Sequence, residues 1–252
     1  MSFIVKEVGK LQENIILTTI GITELDRDVT EKLDANFVKI CKGNSDWDLM
    51  TVKKEVANLY KMKDFRWRMG ATAEFFVHLY MQQKDFKQQC IFENLEERSI
   101  KKGFDGVYSK DNDVWLMESK SGSIETERIC HSNKILDAID DLEKKISGKT
   151  RNDPWRNAFL HASVVTAPKT ILNRFDRLSH DFVNEKFHSI NEFNTMPCAT
   201  IFLSGAWPSK NHNEITLEIS KILDRLKGNN IHIVCTTHKS VDLFLQYIDY
   251  PS

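Results

Sequence analysis

The sequence predicts an α/β protein, a mixed β-sheet covered by helices, on three observations. Apolar residues recur at three- and four-residue steps in several segments, and a pair of short β-prone runs between residues 103 and 120 reads as an antiparallel hairpin. Two later strand-like runs flank a helical segment, the pattern of strand–helix units. The 252 residues, 41% of them hydrophobic, suffice for a core and set a prior of one to two domains.

Residues 1–48 mix short apolar runs such as Ile15-Ile16-Leu17 with charged stretches and receive no assignment; 49–252 are read as the main unit. From Asp48 the spacing of Leu49, Val52, Val56 and Tyr60 predicts a helix, and a second spans Trp67 to Gln83, where breakers are few. The hairpin pairs Gly103–Tyr108 with Val114–Lys120 across a five-residue loop, 109–113. A helix over Thr126–Ile146 carries one stripe, Ile129, Ile135, Leu136, Ile139, Leu142 and Ile146. Asp153 caps the next helix and Pro154 is its first residue. Strands at Ala199–Ser204 and His232–Thr236 flank a helix through Ile215, Ile219, Ile222, Leu223 and Leu226 that ends at Gly228. A last helix covers Ser240–Ile248.

Composition excludes some functions. Lys and Arg number 35 against 36 Asp and Glu, a net charge of -1, so any nucleic-acid surface must be a local patch. Five cysteines, with no CxxC, argue against a disulfide framework and a structural zinc site. No apolar run approaches the roughly 18 residues that span a bilayer, and the first ten residues lack a secretory apolar region. A cytoplasmic protein without membrane attachment is expected.

The chemistry concentrates in GFDGVYSKDNDVWLMESKSG, residues 103–122. Glu118 and Lys120 are two apart on a strand and share a face, and Asp105 on the neighbouring strand can reach it. Two carboxylates and a lysine at a sheet edge suit metal-dependent phosphodiester hydrolysis: hard oxygens hold Mg²⁺, or Mn²⁺ in its place, and the lysine orients water or stabilises the transition state. An ExK triplet alone is weak, and the chain holds another at Glu143-Lys144-Lys145, in a helix where residues two apart face different ways. Context separates the two, since an apolar strand precedes the first. Ending a buried strand on charges is costly unless they serve a purpose. The structural alternative is an exposed cross-strand pair with Asp105 in a turn.

These residues resemble the PD-(D/E)xK nuclease superfamily, read here as Asp105 followed by Glu118-Ser119-Lys120, with Phe104 where that motif often has Pro. The resemblance implies a restriction-endonuclease-like core over residues 66–150. It also implies a ligand role for the Ser119 carbonyl and a second-metal or outer contact from Glu74 in Met69-Gly-Ala-Thr-Ala-Glu74-Phe. More narrowly, the order GxxxEF, GFDG and ESK resembles HamA proteins, implied to be the nuclease partners of a helicase in the Hachiman antiphage defence system.

DNA is the implied substrate. Lys61, Lys63, Arg66 and Arg68 crowd one helix start, while Lys144, Lys145, Lys149, Arg151 and Arg156 surround a later connection together with Trp155. Both are candidate phosphate contacts, or else ordinary solvated helix ends. Ser147-Gly-Lys-Thr150 lacks the first glycine of a P-loop, and Gly148 reads better as a helix C-cap. The eight histidines form no HxxxH, and His232 reads as a sheet-face residue. The rival readings are a sequence-specific restriction-type endonuclease and an inactive nuclease-fold adaptor that binds a partner protein.

Overall fold

The computed structural model describes residues 3–92, 103–111, 113–205 and 211–249, and the side chains from residue 9 onward. Seven strands form one mixed sheet in the order β1-β2-β7-β6-β5-β4-β3. They are β1 (Phe3–Gln12), β2 (Ile15–Ile22), β3 (Lys87–Gln88), β4 (Gly106–Lys110), β5 (Asp113–Ser123), β6 (Asn194–Phe202) and β7 (Ile231–His238). The four central strands, β2, β7, β6 and β5, run parallel, and antiparallel pairs close both edges.

Eight helices among the described residues cover the two faces. On one side lie α1 (Arg27–Lys42), α2 (Leu49–Lys61), α3 (Phe65–Gln82) and α8 (Asp242–Tyr247), whose apolar residues share a core with Tyr108, Met117 and Cys198 of the sheet. On the other lie α4 (His131–Ile146), α5 (Pro154–Val164), α6 (Lys169–Val183) and α7 (His212–Ser220), packed on Val107, Leu116, Ala199 and Ile233. The α/β prediction holds. With helices on both faces, β6 and β7 are buried along their whole length, as parallel strands in such folds are.

The helix starts are written in the sequence. Asp26, Asp48, Asp64 and Asp153 each accept a hydrogen bond from a first-turn backbone N–H. Gly148, at φ +71°, follows α4 and lets the Lys149 N–H reach the Lys144 carbonyl at 2.9 Å.

Several boundaries move. The hairpin pairing extends further than the expected 109–113 loop allows, because Ser109 pairs with Val114 and Lys110 with Asp113; Asn112 lies outside the described residues. The α4 helix starts at His131, not Thr126, and Ile129 instead packs beside Gly122. The β6 strand begins five residues before Ala199 and runs through Pro197. Proline supplies no ladder donor, and the β6–β7 pairing is interrupted between Thr195 and Cys198. The helix expected up to Gly228 ends at Ser220, with a short 3-10 turn at Leu223–Arg225. Residues 1–48 contribute β1, β2 and α1, and residues 169–183 form a helix that the sequence pattern did not reveal.

Trp155 is not a surface residue of the basic connection. It is 1% exposed and lies between Phe104 and Phe193, each with its ring centre 5.0 Å away. Trp155→Ala is therefore expected to lower unfolding stability by about 3–5 kcal/mol in urea titrations. A base-stacking tryptophan would leave stability nearly unchanged.

Candidate functional site

Strand β5 outlasts its antiparallel partner. The β4 pairing stops at Gly106 opposite Met117, whereas β5 continues to Ser123. Asp105, immediately before β4, fills the first place in the gap, and its Oδ2 accepts the Ser119 backbone N–H at 2.9 Å. The N–H and C=O of one strand residue point to the same side, so the Ser119 carbonyl also opens toward Asp105.

Val114, Leu116, Glu118 and Lys120 alternate onto the face covered by α4, so the strand that inserts its apolar residues carries Glu118 in with them. Glu118 is 2% exposed. Lys120 Nζ donates to Glu118 Oε1 at 3.0 Å and to Asp141 Oδ2 of α4 at 2.5 Å. Lys145, one helical turn after Asp141, donates to Glu118 Oε2. Each oxygen of this carboxylate thus has its own ammonium partner.

The charges hold one another in place. Burial raises the Glu118 pKa and the nearby Asp105 carboxylate adds to the rise, which Lys145 and Lys120 only partly offset. Burial opposes charge on Lys120 as well, but Glu118, Asp141 and Asp105 overcome it and keep that ammonium well above the ordinary lysine range. Lys145 is likewise desolvated, yet held up by Glu118 and Asp105. For Asp141, more exposed than the others, partial burial is outweighed by Lys120, with Lys145 and Lys144 assisting, and its pKa falls.

The structure brings Asp105, Glu118, Ser119 and Lys120 together. Glu74, 8% exposed on α3, packs on the opposite face of the sheet, the one to which Met117 points. Its Oε1 lies 3.7 Å from His78 Nε2, and His78 Nδ1 is 2.5 Å from the Tyr108 hydroxyl. Helix α3 docks its apolar residues on that face, which carries Glu74 into a buried polar group with His78.

The basic residues divide between layers. Lys61, Lys63 and Arg66 are exposed around the α2–α3 junction, Lys63 standing 5.6 Å over the Trp67 ring, while Arg68 donates to the Tyr60 carbonyl at 2.8 Å. Lys149, Arg151 and Arg156 are exposed on the α4–α5 side, with Arg156 stacked 5.1 Å from the Phe159 ring centre. Lys144 pairs with Asp140 in its own helix. His232 is a sheet residue bonded to Thr18 Oγ1 at 3.0 Å.

Sequence reasoning missed Asp141 and read Lys145 only as a candidate phosphate contact. Lys145 belongs to the very triplet that its helical setting made look like a chance match: Glu143 pairs with Lys227 and Lys144 with Asp140, but Lys145 turns inward. One signal points to it. Asp141 and Lys145 are four apart and border the buried stripe Ala138, Leu142, Ile146.

Lys145→Met is expected to destabilise the protein by about 3 kcal/mol, because it leaves a buried carboxylate with one partner fewer. Its folded-state Glu118 pKa rises further, so the folded chain holds a proton that the unfolded chain has released, and stability falls as pH rises above the ordinary glutamate range. Urea titrations should show a larger loss at about pH 8 than at about pH 5, and Glu118→Gln in the same chain should remove that difference. A loss independent of pH would contradict the ion pair's role.

No curated protein matches the chain. The family model HamA matches residues 8–249, nearly the whole sequence. Among the described residues no helix is long and apolar enough to cross a membrane. The chain belongs to the HamA family, and thereby to the proteins of the Hachiman antiphage defence system.

Proposed function

We propose that this chain is a metal-dependent DNA nuclease of the PD-(D/E)xK kind, the effector of its defence system, controlled by a partner helicase. The observation that carries the reading is the buried Glu118, set beside Asp105 at the point where β4 stops and flanked by Lys120. Nothing in the packing requires a carboxylate there, since apolar residues of similar volume often serve a core as well as a buried ion group.

The residues suit a hard divalent cation. Asp105 and Glu118 repel each other in a desolvated place, and a cation shared between them relieves that repulsion. With the Ser119 carbonyl they supply oxygen donors for Mg²⁺ or Mn²⁺. Mg²⁺ keeps several waters and needs few protein ligands; among the described residues no group of three or more His, Cys, Asp and Glu side chains is placed to hold a metal ion, so the donors proposed are two carboxylates and one carbonyl. Such an ion supplies a bound water of lowered pKa and offsets charge on the phosphoryl oxygens.

The chain's own residues do the rest. Asp105, fixed by the Ser119 N–H, and Glu118, fixed by two lysines, hold the donors in position. Lys120, its pKa raised between Glu118 and Asp141, is placed to donate a hydrogen bond to a developing negative oxygen. Asp141 aims it. Lys149, Arg151 and Arg156 follow α4 in the same layer and provide contacts to backbone phosphates. Lys61, Lys63, Arg66 and Arg68, in the opposite layer, provide a second such surface. Control by a helicase is supported by the family's place in the Hachiman system.

The test is cleavage of supercoiled and linear DNA by the purified chain with Mg²⁺, with and without the Hachiman helicase. Glu118→Ala and Lys120→Ala are each expected to reduce cleavage by about 10²-fold or more while folding is retained. A wild-type chain as inert as both variants, even with the helicase present, would instead favour the adaptor reading. Lys149→Ala with Arg151→Ala should weaken DNA binding across sequences and lower the salt slope by about 1 for each phosphate interaction removed. An unchanged slope would remove that connection from the DNA surface.

A further inference from the structure

We infer that Lys145 is a fourth member of the site, a positioning residue that holds Glu118 Oε2 where a second cation would otherwise bind, so that the site takes a single divalent cation. The inference rests on the metal-dependent reading above and narrows it.

Geometry carries it. Lys120 takes Glu118 Oε1 and Lys145 takes Oε2, so both oxygens of the central carboxylate are engaged by ammonium groups from different elements, β5 and α4. Lys120 has a second carboxylate partner in Asp141, onto which a cation arriving at Glu118 Oε1 displaces it. The Lys145 ammonium, among the described residues, forms its ion pair with Glu118 alone, and its side chain is 14% exposed. A flexible lysine that merely decorated a helix would stay in water, as the neighbouring Lys144 does at 48% exposure. Lys145 is instead directed inward by the packing of Leu142 and Ile146 against the sheet.

The charges agree. Asp105, Glu118 and Asp141 bring three negative charges, and Lys120 and Lys145 bring two positive ones, leaving the group at -1. One divalent cation turns this to +1, and one phosphodiester returns it to neutrality. A second divalent cation would leave two uncompensated positive charges in a largely buried place, which is costly. Lys145 supplies in fixed form the positive charge that a second ion would bring.

The experiment counts Mn²⁺ ions bound by the full chain, using calorimetry and electron paramagnetic resonance, for wild type, Glu118→Gln, Lys145→Met and Lys145→Arg. Wild type is expected to bind one Mn²⁺ per chain, and Glu118→Gln to lose it. Lys145→Met should raise the number toward two, with Lys145→Arg restoring one. Its cleavage should fall mainly in kcat rather than KM, since the residue acts through Glu118. Two ions on wild type would overturn the inference, as would an unchanged number and affinity in Lys145→Met. If that variant fails to fold, Lys145→Gln replaces it, and the wild-type stoichiometry alone can still overturn the proposal.

The outcomes separate the two readings. Two ions together with cleavage would sink this inference and leave the nuclease. One ion without cleavage, the Hachiman helicase being present, would remove the nuclease reading and leave the single-cation site. No ion at all would remove both.

Discussion

A carboxylate that is 2% exposed must be met by positive charge or give up its own, and meeting that need at Glu118 fixes how α4 lies on β5. One ammonium comes from its own strand, two residues on; the other comes from α4. Helix α4 must therefore lie over β5 in one register, with Leu142 and Ile146 in the apolar layer and Asp141 and Lys145 along its border. Buried charge groups of this kind contribute little net stability. Their cost makes chemistry the better explanation for their presence.

The sheet gives the group its opening. The short β4 ends where Glu118 begins, so Asp105 can turn its carboxylate onto the Ser119 N–H instead of continuing the ladder. On the other side β6 pairs along β5 with Pro197 directly beside Glu118, and the chain next to it breaks its pairing with β7. The carboxylate thus stands between a truncated strand and a strand with a missing donor. The parallel strands behind it are buried on both sides and hold the platform rigid.

Much of this was legible in the sequence because its local signals were strong. The aspartate cap at 153, the Leu49–Tyr60 period and the alternation Val114, Leu116, Glu118 each carry their own physics. The strand placed Glu118 and Lys120 on one face, and the structure keeps them there. Other features depended on distant partners. The β1–β2 pair acquires its meaning from β7, more than two hundred residues away, and Pro197 hid the start of β6 until its neighbours were known. The pairing of Lys145 with Glu118 was hidden for the same reason: an amphipathic helix reveals its buried stripe, but not which strand residue its border will touch. Glu74 has the expected spacing, and its helix packs on the other face of the sheet with His78 beside it, a partner that spacing could not show. Trp155, basic in its neighbours, belongs to the core.

The Glu118 group, on this account, is a site for a cation and a phosphodiester and not an internal strut. Anomalous diffraction from crystals grown with Mn²⁺ and a short DNA tests that claim most directly. One anomalous peak per chain is expected, between the Asp105 and Glu118 carboxylates and next to the Ser119 carbonyl, with Lys145 still at Glu118 Oε2 and a backbone phosphate within reach of Lys120. Crystals that show DNA elsewhere and no peak at these carboxylates, with both lysines closed on Glu118, would contradict it.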